Sequence, residues 1–127
     1  RREVVVARQL ASIATCDIVL YSVGGVETDS TIVSCGALPA EDLPEFRRQG
    51  ATGVIGGQLI DRSGMWMDCP YNRRVISADL DDVKRIPIRF MVVIENEKHD
   101  ALSAALRGGF ATHLVISEEL GKRLLAG

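Results

Sequence analysis

Residues 86–117 constrain the fold more than any other stretch, because they contain a strand, a helix and a second strand in succession. Apolar residues run without alternation over 90–94, which is typical of a strand buried on both faces of a parallel sheet. Asn96 can cap the next helix, whose apolar side chains recur at helical spacing until Gly108. Residues 112–116 then form a second strand. This pattern predicts a βαβ unit with a ligand site beyond the carboxyl ends of its strands.

The junction between the first strand and the helix is the candidate binding corner of this unit. An anion there would meet free backbone N–H groups, the positive helix end and the ammonium of Lys98. Glu95 and Glu97 oppose an anion, however, and Lys98 could be only a solvated charge in the first helical turn, since most helix N-termini carry no anion. The spacing alone leaves both interpretations open.

Composition excludes several classes of protein. The chain has 127 residues, of which 46% are hydrophobic and 25% charged, so it is expected to form one globular domain or part of one. The net charge of -2 and the absence of a basic stripe argue against a nucleic-acid surface, and the apolar runs are too short to span a membrane. The three cysteines form no CxxC or Cys/His pair, which favours reduced thiols in the cytoplasm and predicts neither a metal site nor a cofactor.

The segments before this unit complete an α/β pattern. Residues 1–12 have an amphipathic helical pattern, and residues 17–23 read as a buried strand that ends in Gly24 and Gly25, where the backbone can approach a ligand closely. The remaining predictions are a polar loop at 26–37, a helix at 40–49, a strand at 51–60 bent at Gly56 and Gly57, a hairpin turn at 61–64 into a strand at 65–69, an extended piece at 73–76, a helix from Ser77 or Asp79 to Lys84, and a last helix capped by Ser117.

Four segments in this order resemble one known family: CDIVLYSVGG, GATGVIGGQLIDRSG, RRVISADLDDVKRIP and EKHDALSAALRGGFATHLVISEELGKRLL. Together they are similar to the C-terminal effector domain of SorC/DeoR-type sugar-responsive transcriptional regulators, over nearly the whole chain. The resemblance implies a three-layer α/β fold with a mostly parallel sheet flanked by helices, like that of ribose-5-phosphate isomerase and glucosamine-6-phosphate deaminase. In this fold the chain is expected to add a β-hairpin near 51–69.

The resemblance also implies where an effector binds. Lys98 matches the lysine that contacts the effector's phosphate in the family, and Gly24 and Gly25 match its strand-end glycines. Val54 stands where the family has an acidic residue that contacts sugar hydroxyls, and Ile94 and Glu95 replace two glycines. Glu95 could repel a phosphate or could bind hydroxyls in place of the missing acid. The predicted effector-binding residues are Gly24, Gly25, Val54, Gly56, Glu95, Asn96 and Lys98, and no catalytic residue is predicted.

The expected function is therefore ligand sensing. The chain is predicted to be the C-terminal part of a larger effector domain (residues 1–127 being one domain), with a DNA-binding domain outside it. Binding of a sugar, sugar phosphate or polyol would modulate DNA binding by a cytoplasmic homo-oligomer that has no membrane partner. The alternatives are a sugar phosphate isomerase or deaminase and an oligomerisation module without a ligand. Arg73, Arg74 and Arg107 could serve a phosphate or a subunit interface, but they are assigned no role, since exposed arginines are mostly solvated.

Overall fold

The computed structural model describes residues 3–127. Arg1 and Arg2, with which the predicted first helix opens, lie outside the described residues. The α-helices are α1 (Val4–Ser12), α2 (Thr31–Ser34), α3 (Leu43–Arg48), α4 (Pro70–Arg74), α5 (Leu80–Arg85), α6 (His99–Arg107) and α7 (Glu118–Ala126), and the strands are β1 (Ile18–Tyr21), β2 (Ala51–Ile55), β3 (Gln58–Asp61), β4 (Ile88–Val93) and β5 (His113–Ile116). Short 3₁₀ turns at Ile13–Thr15, Ala40–Asp42 and Asn96–Lys98 lead out of α1 and into α3 and α6.

The predicted βαβ unit is confirmed as β4, α6 and β5. β4 lies in the middle of a parallel sheet ordered β1-β4-β5, with Leu20 opposite Phe90 and Phe90 opposite His113. Together with the antiparallel pair β2-β3, this gives the predicted mixed α/β fold, with helices flanking a mostly parallel sheet. Because β1 and β4 run parallel, their carboxyl ends meet at one rim of the sheet.

Only one face of the parallel sheet is buried within residues 3–127. Met91 and Val93 point to that face and pack with helix α6 and Phe110 in a fully enclosed core. On the opposite face Leu20 is 71% exposed, and the apolar residues Ile18 and Val115 are also exposed. The prediction that these strands are buried on both faces was therefore wrong for the described residues, because alternate side chains point away from the core.

The hairpin near 51–69 is present, but its turn lies at Gly56 and Gly57 and not at the predicted residues 61–64. Gly56 and Gly57 have φ values of 57° and 76° and form the two-residue turn between β2 and β3. Two consecutive residues with positive φ are typical of a type I′ hairpin turn, so the glycine pair reverses the chain instead of bending one strand. Asp61 to Gly64 forms a second turn, after which only Trp66 pairs with β3 through an isolated bridge to Ile60.

Helix α4 includes Arg73 and Arg74 of the extended piece predicted at 73–76, while Val75 has extended backbone angles as predicted. Pro70 begins it, where a missing N–H costs nothing, and Asn72 lies within it at 2% exposure. The Asn72 side chain accepts a hydrogen bond from the Leu59 N–H (2.8 Å) and donates to the carbonyls of Leu59 (2.9 Å) and Met67 (2.8 Å). Two of these bonds fasten the helix to β3 and the third fastens it to the segment after the second turn. The sequence contains no periodic signal for such a short, side-chain-anchored helix.

The remaining local predictions concern two helix caps, one helix and one loop. The side chain of Asp79 caps α5 by accepting from the Asp81 N–H, and Ser117 caps α7 by accepting from the Leu120 N–H, which confirms both caps. The predicted helix at 40–49 is present as a 3₁₀ turn followed by α3. The loop predicted at 26–37 contains the short helix α2. No helix within residues 3–127 has the length and apolarity needed to cross a membrane.

Close backbone packing attaches the hairpin to the sheet and to α6. A Cβ atom on Gly53 would lie 3.2 Å from the Cβ of Ala101, so a glycine at this point lets β2 rest directly on the helix. The hairpin has its own apolar core around Leu43, Leu59 and Tyr71, separate from the core under the sheet. The hairpin is thereby held against α6, close to the end of β4.

Candidate functional site

Two of the predicted site residues meet where β1 ends and β2 passes. The Gly24 N–H donates to the Val54 carbonyl (2.8 Å) and the Val54 N–H donates to the Gly24 carbonyl (2.9 Å). A Cβ atom on Gly24 would lie 3.4 Å from the Cβ of Val54, a tight but ordinary contact. The structure therefore brings together the two segments that the family resemblance paired.

Val54 contributes its backbone to this corner and its side chain to the hairpin core. Its side chain is buried, with 6% exposed, among apolar residues that include Val26 and Leu59. A hydroxyl-binding acid at this position would have to leave that core or be buried without water. The valine thus strengthens the packing of the corner where the family has a ligand contact.

Gly25 is buried beside this pair and is followed by Val26 and Glu27. A Cβ atom on Gly25 would lie 2.0 Å from the Oε2 atom of Glu27, so the glycine leaves room for that carboxylate to fold back over the backbone. Because the Glu27 carboxylate is the far end of a flexible side chain, a substitution at Gly25 would displace that carboxylate and leave the end of the strand in place.

Glu95 and Lys98 form an ion pair in the loop after β4. The Lys98 Nζ atom lies 3.4 Å from the Glu95 Oε1 atom, with 24% of the lysine and 49% of the glutamate side chain exposed. A hydrogen bond from its own backbone N–H lowers the pKa of Glu95 below its usual value of 4.5, and the ammonium of Lys98 lowers it further. Glu95 is therefore a carboxylate at neutral pH, and it partly neutralises the lysine expected to bind a phosphate.

Asn96 does not cap α6, contrary to the prediction. A 3₁₀ turn at Asn96–Lys98 separates β4 from α6, so Lys98 takes the cap position and no side-chain cap bond forms there. Asn96 instead accepts two hydrogen bonds from the Nη1 atom of Arg123 in α7, at its carbonyl (2.7 Å) and its Oδ1 atom (3.0 Å). The loop that carries Glu95 and Lys98 is thus fixed from the C-terminal helix.

Gly56 belongs to a different part of the molecule. As a hairpin-turn residue it lines an apolar cavity of about 280 Å³ together with Ile18, Tyr21 and Leu80. The Gly24–Val54 bridge lies further along, past the end of β1. Gly56 thus faces this cavity, whose lining includes none of the other predicted effector contacts.

A wide polar groove of about 1050 Å³ borders the predicted site. Glu27, Thr52 and His99 line it, and each lies within two residues of a predicted contact. Four arginines also line the groove and were not among the predicted contacts: Arg47, Arg48, Arg62 and Arg107. Arg107 resembled an ordinary basic residue in a last helical turn, and Arg62 an ordinary turn residue, so no local signal pointed to their convergence. Residues 3–127 contain no cluster of three His, Cys, Asp or Glu suited to a metal ion.

The chain thus has a parallel α/β sheet with a hairpin at its rim and a polar groove beside it, an arrangement typical of small-molecule-binding domains. Residues 1–126 match the family described as "Putative sugar-binding domain", and the chain belongs to that family. This confirms the resemblance to SorC/DeoR-type domains.

Individual relatives agree with this assignment. The transcriptional regulator LsrR of Enterobacter sp. (strain 638) is 27% identical over 99% of this chain and 40% of its own length. A DeoR family transcriptional regulator from Listeria monocytogenes superposes with a TM-score of 0.86 at 25% identity, covering 95% of this chain and 49% of that one.

The full-length sorbitol operon regulator SorC from Klebsiella pneumoniae has the same fold, with a TM-score of 0.85 at 16% identity over 98% of this chain and 40% of that one. The chain therefore spans between two fifths and one half of the length of these proteins.

Proposed function

We propose that this chain is the ligand-sensing part of a transcriptional regulator and that it binds a sugar, sugar phosphate or polyol. The observation that carries the proposal is the corner itself, where the Gly24–Val54 backbone pair and the Glu95–Lys98 ion pair stand at the rim of a parallel sheet beside a polar groove. Ligands of parallel α/β sheets bind at this rim. Membership of a sugar-binding family supports the class of ligand.

Glu95 and Lys98 are proposed to contact the effector's hydroxyl groups. A carboxylate accepts hydrogen bonds from two adjacent hydroxyls, and an ammonium donates to hydroxyl oxygens. Since Val54 is buried in the hairpin core, Glu95 is the better candidate for the acidic contact that the family usually takes from that position. Asn96, held by Arg123, is proposed to set the height of this loop above the strand end.

Effector binding would regulate DNA binding by favouring one conformation of the parent protein. A ligand shifts such an equilibrium only by its difference in affinity for the two states. DNA contact is proposed to belong to a separate domain of the parent regulator, which is proposed to be a cytoplasmic homo-oligomer without a membrane partner.

The chain is further proposed to be the C-terminal part of a larger effector domain. Parallel sheets are normally covered on both faces, whereas Ile18, Leu20 and Val115 are exposed on one face here. The solved Listeria relative is about twice as long as its match to this chain, which leaves enough polypeptide to cover that face.

A non-enzymatic role is proposed for the corner. An isomerase or deaminase needs an acid and a base positioned on the same substrate. Here the carboxylate of Glu95 is paired with Lys98, and His99 lies 3.1 Å from Asp100 through its Nδ1 atom. Glu27 brings a carboxylate to the backbone beside the Gly24–Val54 bridge, but neither of these pairs supplies a second, free acid or base there.

Calorimetric titration tests the proposal with sorbitol, ribose, ribose 5-phosphate and glucosamine 6-phosphate. At least one should bind, and Glu95→Gln should weaken that binding by about 1.5–3 kcal/mol, as expected for a lost hydrogen bond to a charged group. Lys122→Gln is the matched control, because Lys122 pairs with Glu118 at 2.9 Å on α7. No binding of any compound would favour the oligomerisation module, and turnover of either phosphate would contradict the non-enzymatic role.

A further inference from the structure

A cavity of about 260 Å³ lies between the hairpin and the start of α5. Its lining consists of Gln58, Trp66, Asp79, Leu80 and Asp81, and includes none of the predicted effector contacts. Pockets that hold drug-sized molecules measure about 300–1,000 Å³, so this cavity suits a smaller ligand. It is a second candidate site, distinct in its lining from the effector corner.

The single tryptophan of the chain lines this cavity and is held in place by a buried amide. The Trp66 Nε1–H donates to the Gln58 Oε1 atom (2.9 Å), and the Gln58 Nε2 atom donates to the Ala78 carbonyl (2.7 Å). A backbone bridge between Ile60 and Trp66 fixes the main chain of the tryptophan as well. The orientation of the ring is thus set by the hairpin and by the segment before α5.

The fixed indole ring is open to solvent. Gln58 is 3% exposed, whereas 40% of Trp66 is exposed. An isolated exposed apolar side chain needs no explanation, but here both polar ends of a buried amide are used to orient one. A ring that is already held in one orientation loses little conformational entropy when a ligand packs on it. The arrangement therefore favours a preformed apolar platform for a ligand.

Two aspartates line the cavity together with the tryptophan. Asp79 caps α5 through its Oδ1 atom, which accepts the Asp81 N–H (2.8 Å), and Asp81 forms no ion pair within residues 3–127. Acids at these positions also suit the positive start of a helix, so their charge does not require a cation in the cavity. Carboxylates accept hydrogen bonds from neutral hydroxyl groups. The cavity thus combines an aromatic wall with acceptors for hydroxyl donors.

We propose that this cavity binds one pyranose ring of an uncharged sugar. The C–H groups on one face of a pyranose are weakly positive and pack against the negative face of an aromatic ring, here Trp66. The hydroxyl groups of the sugar donate to the carboxylates of Asp79 and Asp81. A phosphorylated sugar is disfavoured, because its charge and the two carboxylates repel each other. This second sugar site lies outside the strand rim and does not depend on the proposed effector corner.

Tryptophan fluorescence tests the proposal, because Trp66 is the only tryptophan and its emission reports on this cavity. Methyl glucoside or methyl galactoside should produce a saturable change in emission, and glucose 6-phosphate should bind at least about tenfold more weakly. Asp81→Asn should weaken binding of the glycoside at least about tenfold, since a hydrogen bond to a charged group is lost. Asp42→Asn is the matched control, because Asp42 is exposed and does not line the cavity.

Two variants of the tryptophan test the role of the ring itself, with NMR amide shifts as the measurement. Trp66→Ala should abolish the saturable shifts caused by the glycoside. Trp66→Phe keeps an aromatic face but loses the bond to Gln58, and it should retain weakened binding. Equal affinity in Trp66→Ala and the parent chain would refute the stacking role.

The remaining outcomes separate this site from the effector corner. The fluorescence response should persist in Glu95→Gln; its loss there would show that sugar binds only at the corner, which refutes this proposal and leaves the sensing function standing. No saturable change with either glycoside also refutes it, whatever the calorimetric titrations of the corner show. Emission that changes with protein concentration alone would refute it in favour of self-association through the exposed residues Met65 and Trp66.

Discussion

Replacing Gly64 by alanine tests the backbone contact between the turn after β3 and the end of α6. Gly64 has a φ of 81°, and its added Cβ atom would lie 2.4 Å from backbone atoms of α6. The left-handed conformation costs an alanine about 1–2 kcal/mol, and forcing packed backbones apart costs about 1–3 kcal/mol more. We therefore expect Gly64→Ala to lower the free energy of unfolding by about 2–5 kcal/mol.

Gly109→Ala is the matched control for this substitution. Gly109 has nearly the same φ, 82°, but a Cβ atom there would meet nothing within 4 Å. It should therefore show only the conformational cost of about 1–2 kcal/mol. The difference between the two variants isolates the steric contact.

Urea denaturation measures that difference directly. With a slope of about 1–3 kcal/mol per molar urea, an extra loss of about 2 kcal/mol lowers the midpoint of Gly64→Ala by roughly 1 M relative to Gly109→Ala. Equal midpoints for the two variants would show that the turn does not rest on α6. They would also contradict the hydrogen bond from Arg107 to the Arg62 carbonyl, which crosses this contact.

Two further predictions concern titration. Burial raises the pKa of Tyr21 to about 12 from 10.0, although Arg89 acts in the opposite direction. The stability that Tyr21 contributes should therefore be complete below pH 10 and lost between pH 10 and 12. Tyr21→Phe should remove this alkaline decline. Because the variant loses the hydrogen bond to the Phe110 carbonyl, it should also lower the free energy of unfolding at neutral pH by about 0.5–1.5 kcal/mol in urea denaturation. The pKa of Glu95 lies below 4.5, so its contribution to stability should be present above pH 4.5 and lost as the pH falls through the lowered value. Carboxyl NMR titration should show that pKa rising in Lys98→Gln; an unchanged pKa would refute the ion pair.

The sequence predicted the elements whose signals are local. The apolar run of β4, the helical spacing of α6 and the caps Asp79 and Ser117 each depend on a few neighbouring residues, and all were confirmed. Asn96 was misassigned because a 3₁₀ turn intervenes before α6, and nothing local reveals that its oxygens are taken by Arg123.

Errors in the hairpin have a different cause. A Gly-Gly pair suits both a bulge within one strand and a two-residue turn between two strands, and the choice depends on which surface each half must bury. The prediction had the strand bent at Gly56 and Gly57 and the turn at residues 61–64. The short strands β2 and β3 are instead set by packing of the hairpin core around Leu43 and Leu59.

The candidate site was predictable only in part. The resemblance named Gly24 and Val54 among the effector-binding residues, and the structure pairs their backbones, whereas the approach of Arg107 to the Arg62 carbonyl depends on Gly64 meeting Gly108 across a long stretch of chain. Such contacts between two backbones produce no periodic pattern in the amino-acid sequence. They become visible only when the tertiary structure is known.

The hydrogen bonds of Asn72 have a consequence for how this chain behaves among other polypeptides. A strand with free N–H and C=O groups is a template on which a foreign strand can add and start an aggregate. At Leu59 both groups are occupied by the Asn72 side chain, and the next stretch of β3 is covered by the bridge from Ile60 to Trp66. One buried amide thus closes the outer edge of the hairpin to β-strand addition.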